Sequence, residues 1–165
     1  MKKNIIKKIK LFTKEKYRSF RSSVFLSLYG KIKVSKKPPN TKIITIKNNN
    51  IRNFSKYNYK FYEVQNGRVF TDNIENVSII SNNKLLANFS YQQIKGKLVS
   101  SKKNQVVKTG TPRFIFKLNG TIAVLSQGAS GYNNYAHCLF DIVPKIKLIS
   151  LAFNLKKINY FYFSK

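Results

Sequence analysis

The only histidine in the sequence, His137, stands four residues before Asp141, one of just five acidic residues. On a helix, residues at i and i+4 share a face. A carboxylate so placed orients the imidazole and favours its protonated form. That pair could offer a cation to a phosphate, or act beside a hydroxyl that must lose its proton. A purely structural role fits the same spacing, with His137 and Asp141 bonding across a kink and Asp141 satisfying backbone groups freed by Pro144. The other acids point elsewhere: Glu15 lies in a basic N-terminal stretch, and Glu63, Asp72 and Glu75 fall in or beside hairpin patterns. Cys138 adjoins His137, so on a helix the two side chains diverge by about 100° and do not form a thiolate–imidazole pair.

Just upstream, Gly128-Ala129-Ser130-Gly131 follows a strand pattern and opens a helix pattern. Unpaired N–H groups at a helix start attract anions. The stretch lacks the third glycine of a dinucleotide fingerprint and the Lys-Ser/Thr ending of a P-loop, and a plain strand-to-helix turn is the simpler account. Gly128, Gly131, Asn134 and Tyr135 are the residues that would border a phosphate bound there, beside the His137–Asp141 pair. One His, one Cys and five acids leave few ways to build a tetrahedral metal site, so neither a metal nor a cofactor is expected. The lone Cys forms no internal disulfide, which suits a reducing compartment.

The elements that must position these residues are legible in the pattern. Residues 121–125 read as a strand, and Asn133 or Asn134 is a good helix N-cap. Tyr135, Leu139, Ile142, Val143, Ile146, Ile149 and Phe153 keep a helical period. Pro144 must kink or divide that helix, because it removes the bond to the carbonyl of Phe140. Residues 158–163 read as a buried strand, completing a βαβ unit. Upstream, residues 42–46 read as a strand. Residues 59–64 and 68–71 flank Gln65-Asn66-Gly67, and residues 77–81 and 84–87 flank Asn82-Asn83; these read as two hairpin-like units. Residues 92–110 read as a polar loop. Residues 113–118 and 121–125, joined by Asn119-Gly120, read as the strongest hairpin, with a type I′ turn.

The first 37 residues are basic and periodic. Ile5, Ile6, Ile9, Phe12, Lys16 and Phe20 nearly form one stripe, with Lys7, Lys8, Lys10 and Lys14 on the other faces, and Pro38-Pro39 ends the pattern. This predicts an amphipathic helix able to lie on an anionic membrane, or else a solvated tail. Two domains follow: a basic tail over 1–40, and hairpins leading into a partial α/β domain over 41–165. The formal charge is +27, with 27 Lys and 5 Arg. Lysine excess is poor at base readout and bidentate phosphate clamping. Lys, Asn and Ile make up 64 of the 165 residues, a skew that an AT-rich genome would write into any protein, and 13 of the 32 basic residues lie in the first 37 positions. Nucleic acid is therefore not the expected partner. No segment approaches the ~20 apolar residues that span a bilayer, and no signal peptide is read. The default location is cytoplasmic, with peripheral contact on the inner face of the plasma membrane through residues 1–37.

One stretch carries a family resemblance. Residues 133–145, Asn-Asn-Tyr-Ala-His-Cys-Leu-Phe-Asp-Ile-Val-Pro-Lys, resemble the NYxHWLxDxxPR/K signature of glycosyltransferase family 61. Residues 67–72, 77–81 and 84–86 look like that family's lead-in strands, so the resemblance covers roughly residues 60–163. It implies an inverting transferase that moves a sugar from a nucleotide-sugar donor to a surface-polysaccharide or lipopolysaccharide glycan acceptor. It also implies two Rossmann-like halves facing across a cleft, the arrangement called GT-B, of which this chain would be the N-terminal half. Cys138 replaces the signature's Trp, and the nucleotide-sugar-binding half has no counterpart in the sequence, so the isolated chain is expected to be inactive. Two other readings stand beside this one: a non-catalytic basic module binding nucleic acid or an anionic membrane, and a defunct fragment. A binding module should gather its cations on one face among aromatic side chains; a transferase should scatter them and keep a polar cleft beside His137.

Overall fold

The computed structural model describes residues 2–36, 40–47, 58–73, 76–94, 97–125 and 135–163. The fold is mixed α/β. A long helix, α1 (Lys2–Tyr29), leads into β1 (Lys33–Ser35), then β2 (Thr41–Lys47), β3 (Asn58–Val64), β4 (Arg68–Asn73), β5 (Asn76–Ser81), β6 (Lys84–Leu86), β7 (Tyr91–Ile94) and β8 (Lys97–Val99). A 3₁₀ turn and the short α2 (Gln105–Thr109) follow, then β9 (Ile122–Val124), α3 (Tyr135–His137), a π-helical turn over Cys138–Ile142, α4 (Val143–Ala152) and β10 (Tyr160–Tyr162).

β5 is the centre of a six-stranded sheet. β4 pairs along one of its edges, while β6 and β7 share the other. β1 runs parallel to β6, and β8 closes the far side on β7. The basic N-terminal stretch thus contributes a strand to the main sheet. Ile80 and Leu85 from this sheet bury with Ile32, Phe70 and Val106 in one core. Leu85 is fully buried, and cutting such a side chain to Ala costs about 2–5 kcal/mol. Beside this core lies a buried polar knot. Ser78 Oγ donates to Asn76 Oδ1 (3.2 Å) and to Asn104 Oδ1 (3.1 Å), and the same Asn104 oxygen caps α2 by accepting from Val106 N.

Of the three expected hairpins, the one at Asn82-Asn83 forms as read and the other two do not. Asn82 and Asn83 both have positive φ and leave Ser81 opposite Lys84, so the type I′ hairpin sits here, between β5 and β6. Residues 65–67 do turn the chain, but β3 pairs with β2 and β4 with β5, so the first expected hairpin is instead a passage between two sheets. The hairpin expected at Asn119-Gly120 does not form. Residues 114–119 carry no regular structure, and β9 pairs in parallel with β10. Competing side-chain contacts explain this. Asn159 Oδ1 accepts from Thr121 N at 2.8 Å and closes over the Cα of Gly120, whose φ is +124°. That glycine makes room for Asn159 rather than for a turn. Residues 92–110, expected as a loop, instead hold β7, β8 and α2, because the Asn104 cap and Gln92, which accepts from Gln105 N at 2.7 Å, order them.

The expected βαβ unit is present, with β9 and β10 parallel and α3, the π turn and α4 between them, but its last strand is not the buried one expected: Tyr160, Phe161 and Phe163 are exposed. A second core forms under it from Leu125, Ile142 and Ile149, joined by Phe61 of β3 and Phe153. Phe61 meets Phe153 edge-on at 6.0 Å. Thr71 of β4 and Tyr162 of β10 share a hydroxyl–hydroxyl hydrogen bond of 2.5 Å, which ties the unit to the main sheet.

Candidate functional site

The predicted division of the helix occurs, and its cause is Pro144. Proline has no N–H for the carbonyl four residues back. The backbone meets this loss with the π turn at Cys138–Ile142, directly ahead of α4, in which Pro144 occupies the first turn. A π turn winds an extra residue into the helix, and such turns recur at functional sites. The phase of the apolar stripe shifts accordingly. Ile142 and Ile149 face the core, with Ile146 and Phe153 packed beside them, as the period predicts. Tyr135, Leu139 and Val143, expected on the same stripe, are exposed instead, Tyr135 by 75%. Phe140 is exposed by 77%, so the bare side of this helix is markedly apolar.

His137 closes α3 and Asp141 lies within the π turn. The two are therefore not on one uninterrupted α-helix, which was the basis of the i, i+4 reading. Cys138 is exposed beside them. Gly128, Gly131 and Asn134, with the whole connection 126–134, lie outside the described residues. Their flanks are fixed: the connection leaves β9 after Leu125, which is buried, and re-enters at the exposed Tyr135. In open α/β sheets, the carboxyl end of a strand is where ligands bind.

Sequence reasoning missed the residue that holds this arrangement. Lys145 Nζ donates to the carbonyl of Leu125 at 3.3 Å and so ties the first turn of α4 to the end of β9. A surface lysine gives no sign of such a role in a chain so rich in lysine. Among the described residues, no group of three or more His, Cys, Asp or Glu could hold a metal ion, and no helix is long and apolar enough to cross a membrane. A shallow polar recess lined by Asn40, Thr41, Lys42, Glu63 and Gln65 lies at the β2–β3 edge, away from this helix in the chain.

A mixed α/β protein with one βαβ unit, whose helix is broken over a His-to-Asp stretch, is the class that fold and site define. The chain matches no protein-family model, no curated protein and no solved structure.

Proposed function

We propose that this chain is a family 61-like glycosyltransferase component whose βαβ unit belongs to the N-terminal, acceptor-side, Rossmann-like half of a GT-B enzyme. One observation carries the reading. The described part of the stretch that resembles the family signature, residues 135–145, forms α3, the π turn and the first turn of α4 inside a parallel βαβ unit, with His137 closing α3 and Asp141 in the π turn. In this proposal His137 and Asp141 form the base that takes the proton from an acceptor hydroxyl. The freed oxygen attacks the anomeric carbon of the sugar, the bond from that carbon to the nucleoside diphosphate breaks, and the configuration inverts. Gly128, Gly131, Asn134 and Tyr135 border the acceptor or the departing phosphate. The donor is a nucleotide sugar and the acceptor a surface-polysaccharide or lipopolysaccharide glycan, which places the work in the cytoplasm.

Such a transfer also needs cations or helix N-termini aimed at the leaving diphosphate, and exclusion of water. In the GT-B arrangement a facing nucleotide-binding half supplies both, so the 165-residue chain alone should bind acceptor without turning over donor. The test is a nuclear magnetic resonance titration of the chain with capsule-type oligosaccharides, run beside calorimetry with nucleoside diphosphates. Shifts clustered at residues 126–145, with no saturable diphosphate binding in the micromolar range, are expected. Shifts confined to other surfaces would overturn the acceptor assignment. Micromolar diphosphate binding would overturn the division of labour between the halves.

A further inference from the structure

The strongest unassigned feature is α1, and it is independent of the transferase reading. The helix docks only by its C-terminal turns. Phe25 is buried, stacks on Tyr29 at 5.8 Å and meets Phe114 edge-on at 5.2 Å, and the Tyr29 hydroxyl accepts from Ile115 N at 3.3 Å. From Lys8 to Phe20 every side chain is exposed, so this length stands free of the body. At about 100° per residue, Ser22, Phe25, Leu26 and Tyr29 define the docked face. Ile6, Ile9, Phe20 and Val24 fall on the opposite one, with Phe12 and Leu28 on its two flanks. Phe12 is 58% exposed and Phe20 69%, and Leu28, level with the docked residues, is still 59% exposed. Docking therefore turns the apolar stripe away from the protein rather than into it.

The rest of the helix is cationic. Lys10, Lys14 and Arg18 form an i, i+4, i+8 row that turns from one flank of the stripe toward the face opposite it, Lys16 interrupts the stripe itself, and the whole helix carries nine basic residues against one acid, Glu15. Like charges at i+4 destabilise an isolated helix, and a helix without packing is marginal in water. This segment is therefore built for a surface that supplies both apolar depth and negative charge. Two cations already lie over rings of this helix: Lys16 Nζ is 4.8 Å from the centre of the Phe12 ring, and the Arg21 guanidinium is 5.9 Å from that of Tyr17. Such stems can bend their charge toward the headgroups while the rings enter the acyl boundary. A second copy of a chain carrying +27 would bring like charge against like, and a nucleic acid would leave the aliphatic Ile6, Ile9 and Leu28 without a partner.

We propose that α1 is an in-plane membrane anchor that lays its Ile6–Ile9–Phe12–Phe20–Leu28 face into an anionic phospholipid surface, and that Phe25 and Tyr29 fix the attitude of the folded body above it. The test is co-sedimentation of the full chain with vesicles of phosphatidylglycerol and phosphatidylcholine, against phosphatidylcholine alone. Binding to the anionic vesicles only, weakening with salt, is expected. Phe12→Ser/Phe20→Ser should lower the partition coefficient at least tenfold. Lys10→Gln/Lys14→Gln/Arg18→Gln should lower it on the order of 100-fold. All five side chains are exposed, so the fold should survive, which circular dichroism of the unbound variants checks. The charge-matched control Lys97→Gln/Lys102→Gln/Lys103→Gln should bind nearly as the parent does. Absence of anionic-vesicle binding, parental binding by the Phe variant, or an equal loss in the control would each overturn the anchor. A dimer in sedimentation velocity that the Phe variant dissolves would assign the stripe to self-association. Tighter binding to single-stranded nucleic acid than to vesicles would assign the row of cations to that partner.

Discussion

Lys145 Nζ reaches the carbonyl oxygen of Leu125 across 3.3 Å, joining the helix that follows Pro144 to the strand that precedes the 126–134 connection. Leu125 is itself in the core with Ile142 and Ile149, so this bond closes the βαβ unit at the carboxyl end of β9. Lys145→Met keeps most of the stem's packing and removes the charged donor. The expected cost is about 1 kcal/mol, since the carbonyl loses a charge-assisted partner at a partly buried position. Urea unfolding measures it. Amide exchange should rise at Ala123 and Leu125 more than in β5, and a uniform rise over both sheets would contradict the local role.

Gly120 separates two readings of the Asn119-Gly120 pair. In a type I′ turn, an Asn at the second position is tolerated. Here φ is +124°, outside the small left-handed region open to Asn, and Asn159 occupies the space of a Cβ. Gly120→Ala and Gly120→Asn should therefore both destabilise by about 2 kcal/mol or more. Asn159→Gly in the Ala background should recover only the part due to contact. Near-neutral behaviour of Gly120→Asn in thermal unfolding would restore the hairpin.

What could be read from the sequence divides along physical lines. Local rules held where one local cause acts alone: Pro144 broke its helix, and Asn82-Asn83 turned a two-residue hairpin. The strand–helix–strand order after Thr121 was also legible, because short runs of β-branched and aromatic residues flank a stretch whose apolar spacing is mostly helical. Pairing was not. Nothing in residues 59–64 or 68–71 states that β3 prefers β2, and the preference depends on Phe61 reaching Phe153, more than 90 residues away. Asn159 over Gly120 is likewise a long-range contact that overrides a strong turn signal. Tyr135 and Leu139 leave the stripe because the π turn rotates the phase, and a fixed-period count cannot contain an inserted residue; Val143, beyond the turn, stands about 100° from Ile142 and so at the stripe's edge. The site was legible as a short run of residue types, His137 to Lys145, while the role of Lys145 needed the fold.

Arg68 is the bolt between α1 and the main sheet. Its guanidinium donates to Asn83 Oδ1 at 2.7 Å and to Thr111 Oγ1 at 3.2 Å, and lies 5.7 Å from the centre of the Tyr29 ring. Burial pulls its pKa down, opposed by Tyr29. Arg68→Met should cost about 2 kcal/mol, because Asn83 and the buried Thr111 lose their donor. Arg68→Lys should recover less than half, lacking the planar fork. A double-mutant cycle with Asn83→Ala should show coupling of about 1 kcal/mol. Protease cleavage near residues 29–33 should quicken in Arg68→Met, and unchanged cleavage would show that α1 docks without Arg68.

Tyr91 offers a test by pH. Its hydroxyl is buried and makes no hydrogen bond among the described residues. Burial alone pushes its pKa well above the ordinary phenol range. An unsatisfied buried hydroxyl costs stability, so Tyr91→Phe should stabilise the fold by about 1 kcal/mol at neutral pH. The sign at high pH follows from proton linkage. Above about pH 10 the unfolded chain releases the Tyr91 proton while the folded chain keeps it. The folded state then binds more protons than the unfolded one, so stability is full below pH 10 and is lost as the pH rises toward the folded pKa. Other tyrosines and lysines titrate in the same range, and the difference between parent and Tyr91→Phe removes their shared contribution. That difference in urea midpoint should be constant from pH 6 to 9 and widen in favour of the Phe variant at pH 10.5. Parallel curves across the whole range would mean that Tyr91 reaches water, or a partner, in the folded protein.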